Sequence, residues 1–141
     1  MLNFFGAILL LGALSTGSWV QTSPGTNRGR FEKYIGKYPS ELLKAEPDLK
    51  RRLRTLTGGS YNFFMERLQT EVPIENVKGI LVARGCKAHE CGEEEAIILI
   101  NLADGKLHCA IHSATYSSKV KTFSESPPQF PWAALKYALE N

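Results

Sequence analysis

Cys86-Lys87-Ala88-His89-Glu90-Cys91 is the segment of this 141-residue chain where reactive and charged side chains crowd most closely. Two cysteines five positions apart can be joined into a ring too small to have an interior, so the lysine, histidine and glutamate between them must be displayed. His89 stands near the tip as a hydrogen-bond donor or acceptor, and Lys87 adds positive charge. Gly85 and Gly92 flank the segment, where tight reversals favour a residue without Cβ. In an oxidising compartment Cys86 and Cys91 are expected to pair; in a reducing one they would stay thiols. A ring so closed leaves its backbone little freedom, which lowers the ordering cost of entering a pocket. Metal chemistry fits poorly, because Cys86, His89 and Cys91 offer three donors at unsuitable spacing and no second Cys/His pair completes a site. A thioredoxin-like redox pair has two intervening residues, not four. No cofactor is implied.

Two other groups invite chemistry. His108 and His112 flank Cys109, which suggests a cysteine nucleophile with a histidine base. On a strand, however, both histidines share one face and Cys109 points to the other. The expectation is therefore a buried free thiol acting as a small hydrophobe between ordinary surface or sheet-edge histidines. Glu93, Glu94 and Glu95 offer carboxylates, but three acids in a row read as a solvated strand entrance.

The elements that must hold the loop are legible in the hydrophobic pattern. Pro47 fits the first position of a helix and Asp48 favours the same end; Leu49, Leu53 and Leu56 make its apolar face, and Gly58-Gly59 stops it. Ser60 is placed to cap a second helix over 61–69, with Tyr61, Phe64 and Leu68 buried. Together these predict a helical hairpin. After Pro73 the period becomes that of strands: Val77 to Ala83 leading into the cysteine loop, Ala96 to Leu102 as a central strand, a two-residue turn at Asp104-Gly105, Lys106 to Ala114 returning, and Tyr116 to Phe123 with Val120 and Phe123 as anchors. Pro127-Pro128 ends the last strand. Pro131 starts a final helix with Trp132, Leu135 and Leu139 on one side. The predicted architecture is α+β, an antiparallel sheet with helices packed against it.

The leader is a separate matter. Phe4 to Leu14 is a nearly continuous apolar run followed by small residues, which reads as a signal peptide over 1–23 and hence export. It is short of the roughly 20 residues of a membrane helix, so no stable transmembrane anchor is expected. Gln21 to Gly29 reads as a junction, and 28–141 as a single domain of ordinary size. A hydrophobic fraction of 43% suits a folded protein, and a net charge of +3 falls well short of a nucleic-acid specialist. The basic residues concentrate between Arg28 and Arg54, where Lys50-Arg51-Arg52 and Arg54 read as an exposed helix face. Lys33, Tyr34, Lys37 and Tyr38 read as domain edge.

Gly85-Cys86-Lys87-Ala88-His89-Glu90-Cys91-Gly92 closely resembles the signature of the inhibitor-of-vertebrate-lysozyme family, whose loop reads Cys-Lys-Pro-His-Asp-Cys. The resemblance implies a periplasmic bacterial protein with a central antiparallel sheet. It implies a disulfide-closed loop that projects into the active-site cleft of C-type lysozyme, where the loop histidine contacts the catalytic carboxylates. On this chain that histidine matches His89, the bridging cysteines match Cys86 and Cys91, and the loop lysine matches Lys87. Ala88 replaces proline, which removes one source of stiffness, and Glu90 replaces aspartate with one methylene more. The resemblance covers roughly Val77 to Ser113. The expected partner is lysozyme or a related glycoside hydrolase, whose two carboxylates suit an inserted imidazole. The chain itself would be no enzyme, a monomer or homodimer, with no nucleic-acid partner. The alternatives are a small cell-envelope hydrolase using His108, His112 or the glutamate run, and an envelope protein that keeps the scaffold without inhibiting.

Overall fold

A computed structural model of the chain describes residues 27–141. The expected leader, residues 1–23, lies outside the described residues. The elements run α1 (Asn27–Glu32), α2 (Pro39–Ala45), α3 (Pro47–Thr57), α4 (Tyr61–Glu66), β1 (Thr70–Glu71), β2 (Glu75–Val77), β3 (Ile80–Cys86), β4 (Glu95–Asn101), β5 (Leu107–His112), β6 (Val120–Ser124) and α5 (Trp132–Glu140). β3, β4, β5 and β6 form an antiparallel meander, and β1 and β2 both pair with the free side of β3. This is the predicted α+β architecture.

The sheet is the middle of three layers. Ala96, Ile98 and Ile100 of β4 face Phe31, Leu42, Leu49, Leu53 and Phe64 of the first four helices. Ile97 and Leu99 face the other way, against Phe130, Ala134, Leu135 and Ala138. Covering on both sides explains why four consecutive aliphatic residues occupy β4 without alternation. Each fully buried side chain of this kind stabilises the fold by about 1.5–3 kcal/mol relative to exposure. β4 is thus the most firmly embedded strand, and both of its ends lead into turns.

Pro47 does open α3, as its sequence position requires. The hairpin of helices takes a different form from the one expected. Gly58–Ser60 winds one 3-10 turn straight into α4, with Ser60 itself helical and its side chain making no cap bond. α4 ends at Glu66, three residues early, because Leu68 and Gln69 turn down toward β1. α1 and α2, which carry no strong periodic signal, complete the layer. Tyr34 is no domain edge: it is 4% exposed and its hydroxyl donates to Glu46 Oε1 at 3.1 Å. Tyr38 is exposed as expected.

Three strand boundaries also move. Val77 closes β2, and the chain reverses at Lys78-Gly79, both with positive φ (51° and 86°), the geometry of a two-residue hairpin turn. The turn after β4 is longer than Asp104-Gly105. Asn101 N–H bonds Lys106 O at 3.0 Å, which leaves Leu102–Gly105 as the loop. Leu102 is drawn fully into the helical core and delays the reversal. Tyr116 lies in a turn before β6 rather than on it. At the C-terminal end Trp132 stands 63% exposed against Phe130, whereas Leu135 is buried as expected, Leu139 packs partly buried against the same cluster, and Ala134 and Ala138 complete the stripe of α5.

The basic run of α3 is only partly a free face. Arg52 reaches across to Glu125 and to Gly105 O, Arg51 pairs with Asp48, and Arg54 lies over the Tyr61 ring. Among the described residues no helix is long and apolar enough to cross a membrane.

Candidate functional site

The β3–β4 connection is the cysteine loop, and it is closed twice. Cys86 and Cys91 are disulfide-bonded, with Cα atoms 5.0 Å apart. Immediately past the last sheet pair, Cys86 with Glu95, Lys87 N–H bonds Glu94 O at 2.8 Å. Between these closures Glu90 N–H bonds Lys87 O at 3.0 Å, and Glu90 O receives the N–H groups of Glu93 and Glu94. The loop is therefore a hydrogen-bonded turn rather than a slack excursion. Ala88, His89, Glu90 and Cys91 are exposed, Lys87 is half-buried, and Cys86 is 7% exposed. The reversal itself uses positive φ at His89 (67°) and at Gly92 (92°). His89 is one of only three described non-glycine residues in that region, which makes the tip a defined conformation.

Gly85 has a different role from the expected one. It lies in β3, not in a reversal, and a Cβ there would sit 2.8 Å from Thr70 O and 3.0 Å from Leu68 Cα. It lets the Leu68–Thr70 backbone press against the strand that carries the loop.

Charge within the loop is paired off. Lys87 Nζ lies 2.8 Å from Glu90 Oε1, and the hydrogen bond to Glu90 holds its ammonium above its ordinary pKa. Lys87 thus contributes less free positive charge than the sequence suggests. The glutamate run divides by strand parity. Glu93 is exposed, Glu95 lies 3.2 Å from His112 Nδ1, and Glu94 is buried. Glu94 receives Arg67 Nε at 2.6 Å on Oε2, and Ser113 Oγ at 2.8 Å and Ala114 N–H at 3.2 Å on Oε1; Arg67 Nη2 also pairs with it. Burial works against its charged form. The bonds from Ser113, Arg67 and Ala114 outweigh that and hold the carboxyl below its ordinary pKa. Glu94 is therefore not part of a solvated entrance. Sequence reasoning missed it and its two side-chain partners, Arg67 and Ser113. The signal available was parity: Glu94 shares the face of Ala96 and Ile98, which are both fully buried.

His108 and Cys109 do not form a dyad. Cys109 faces the helical core, and burial pushes its thiol up to about 12. His108 lies on the opposite face, 1% exposed rather than at a surface or sheet edge. Its Nδ1 is 2.7 Å from Ser124 Oγ and its ring meets Phe130 edge-on at 5.6 Å; burial lowers its pKa. His112 is half-buried against Glu95. Among the described residues no group of three or more His, Cys, Asp or Glu could hold a metal ion.

The family model described as inhibitor of vertebrate lysozyme (Ivy) matches residues 48–140 of the chain. The match runs from the start of α3 through α5 and contains the loop, its Arg67–Glu94 support and the whole sheet. The chain belongs to that family. No curated protein and no solved structure matches it.

Proposed function

We propose that this member of the inhibitor-of-vertebrate-lysozyme family acts by inserting the Cys86–Cys91 loop into the catalytic cleft of a C-type lysozyme or a related peptidoglycan-cleaving enzyme. The observation that carries this reading is the exposed His89 at the tip of a doubly closed turn. A glycosidase cleft of this type holds two carboxylates, and its walls focus negative potential. The loop bears more acid than base in sequence, which would oppose entry if its charges were free. Lys87 with Glu90 and Arg67 with Glu94 cancel within the molecule, Glu95 is turned back onto His112, and Glu93 is the exposed acid outside these contacts. That leaves the imidazole as the group able to donate hydrogen bonds forward. Inhibition then requires occupancy only, and the inhibitor performs no reaction. Ala88 and Glu90 adjust the fit of the tip without removing the imidazole or the staple.

The setting that suits this activity is the periplasm, reached through the leader over 1–23, with residues 28–141 as the exported inhibitor domain. The disulfide is compatible with that compartment. The hydrolase alternative gains nothing from His108, which is buried, or from Cys109, whose thiol is held protonated on the other face.

The deciding measurement is lysis of cell-wall substrate by C-type lysozyme titrated with the mature protein. Inhibition close to one-to-one is expected. His89→Ala should raise the inhibition constant roughly 10- to 100-fold with the fold intact, as expected for one charge-assisted contact of about 1.5–3 kcal/mol. Absence of inhibition by the intact protein across a panel of lysozymes would overturn the reading.

A further inference from the structure

We propose that Arg67 and Glu94 are positioning residues for the inhibitory loop, a buried clamp that sets the angle at which His89 is presented. The proposal rests on the loop-insertion reading and adds residues outside the ring to it.

The geometry is that of a joint between three elements. Arg67 follows α4, and its guanidinium is fixed on two sides: Nη1 donates to Phe63 O at 2.8 Å, and the group lies 3.2 Å from the Phe63 ring centroid. Its Nε and Nη2 converge on one Glu94 oxygen, Oε2, and the planar guanidinium, held at Phe63 as well, fixes the direction of that contact. Glu94 spans the descending limb of the loop and the start of β4. Its second carboxylate oxygen takes Ser113 Oγ and Ala114 N–H, the first residues beyond β5. Its main-chain oxygen takes Lys87 N–H. One residue is therefore held by the helical layer and the neighbouring hairpin while it closes the loop from inside.

A buried ion pair is a poor way to gain stability, since apolar side chains of similar size usually serve as well or better. What an Arg–carboxylate fork adds is orientation. The loop needs it, because Lys87 to Glu93 carry no fully buried side chain that could anchor them in the core. The disulfide ties the two limbs to each other, whereas the Arg67–Glu94 fork ties them to the body.

The test uses the double variant Arg67→Met/Glu94→Met in the full chain with the disulfide intact. It should unfold within a few degrees of the parent. The amides of Lys87, Glu90 and Glu94 should exchange with deuterium at least tenfold faster, and the complex with C-type lysozyme should dissociate roughly tenfold faster. Arg67→Lys, which keeps the charge but loses the fork, should fall between. Exchange and dissociation matching the parent would overturn the proposal. If the double variant does not fold, Glu94→Gln carries the same two readings with an expected acceleration of threefold or more, and parental rates there would overturn it equally. The exchange measurement needs no lysozyme. If the parent inhibits nothing, loop insertion fails while the exchange rates still decide whether the clamp orders the loop.

Discussion

The two ends of β4 meet the same task in different ways. At one end the chain turns through Leu102–Gly105, at the other through Lys87–Glu94, and each turn is tied to the helical layer by an arginine–glutamate pair. At the far turn, Leu102 is fully buried and Gly105 takes a positive φ of 71°; Asn101 and Asp104 bond the backbone within two residues. Its ion pair, Arg52–Glu125, is about one-quarter exposed on both sides. The loop end lacks an anchor such as Leu102. It has a disulfide and an ion pair only 4% and 10% exposed. A turn can be rigid because it buries a side chain or because it is braced from behind. Only the second kind leaves its tip side chains, His89 among them, exposed to meet a partner.

The largest effect should come from removing the apolar anchor. Leu102→Ala should lower stability by about 3 kcal/mol, as large-to-small changes in a packed core do. Inhibition per folded molecule should stay at the parental value, because nothing at the loop end depends on Leu102. Chemical denaturation alongside the lysis assay measures both. A proportional loss of inhibition would show that the two ends are coupled through β4, and the contrast drawn between them would collapse.

The staple should show the reverse pattern. Replacing both cysteines, Cys86→Ser/Cys91→Ser, opens a ring of about six residues, worth about 2 kcal/mol on chain-entropy grounds. Inhibition should weaken tenfold or more, since the loop must then be ordered on binding. The lysis assay and a denaturation curve again separate the two quantities. A variant that loses stability but inhibits as well as the parent would mean that the Lys87–Glu94 backbone bond and the Arg67–Glu94 fork suffice to shape the tip.

What could be read from the sequence follows the same division. The staple, the histidine and the buried strand were legible because each is local: a spacing, a tip, a run of aliphatics. The hairpin turn at Lys78-Gly79 was obscured by Val77, which extends the apolar pattern across a strand boundary. The helices before Pro47 were obscured because α1 and α2 are short, and tertiary contacts of Phe31, Tyr34 and Leu42 hold them more than helical periodicity does. The clamp was not legible at all. Its two charged residues lie 27 positions apart and its hydroxyl another 19 beyond. Only the sheet register, which places Glu95 opposite His112, brings Ser113 beside Glu94. Glu94 looked like one of three solvated acids because its neighbours on either side face the other way.

The smallest expected effect concerns the ion pair at the far turn. Glu125 accepts Arg52 Nε at 2.8 Å, Arg52 Nη2 at 2.6 Å and Leu107 N–H at 2.8 Å. The bond from Arg52 leads in holding its carboxyl below the ordinary pKa, against partial burial. A carboxylate depressed in the folded state contributes stability that is fully present above its unfolded value of about 4.3 and is lost as pH falls through the folded one. Glu125→Gln should therefore cost below about 1 kcal/mol at pH 7, the usual range for a pair open to solvent. The difference from the parent should shrink as pH drops below about 4.3. Molar salt should shrink it too, because about a quarter of each partner stays open to solvent ions. The buried Arg67–Glu94 pair should respond to acid in the same direction but hardly to salt, because solvent ions do not reach it. Thermal unfolding at pH 7 in low and high salt, repeated down to acid pH, distinguishes the two. Equal salt sensitivity of Glu125→Gln and Glu94→Gln would mean that water reaches the clamp, and a hydrated fork would not fix the loop's direction.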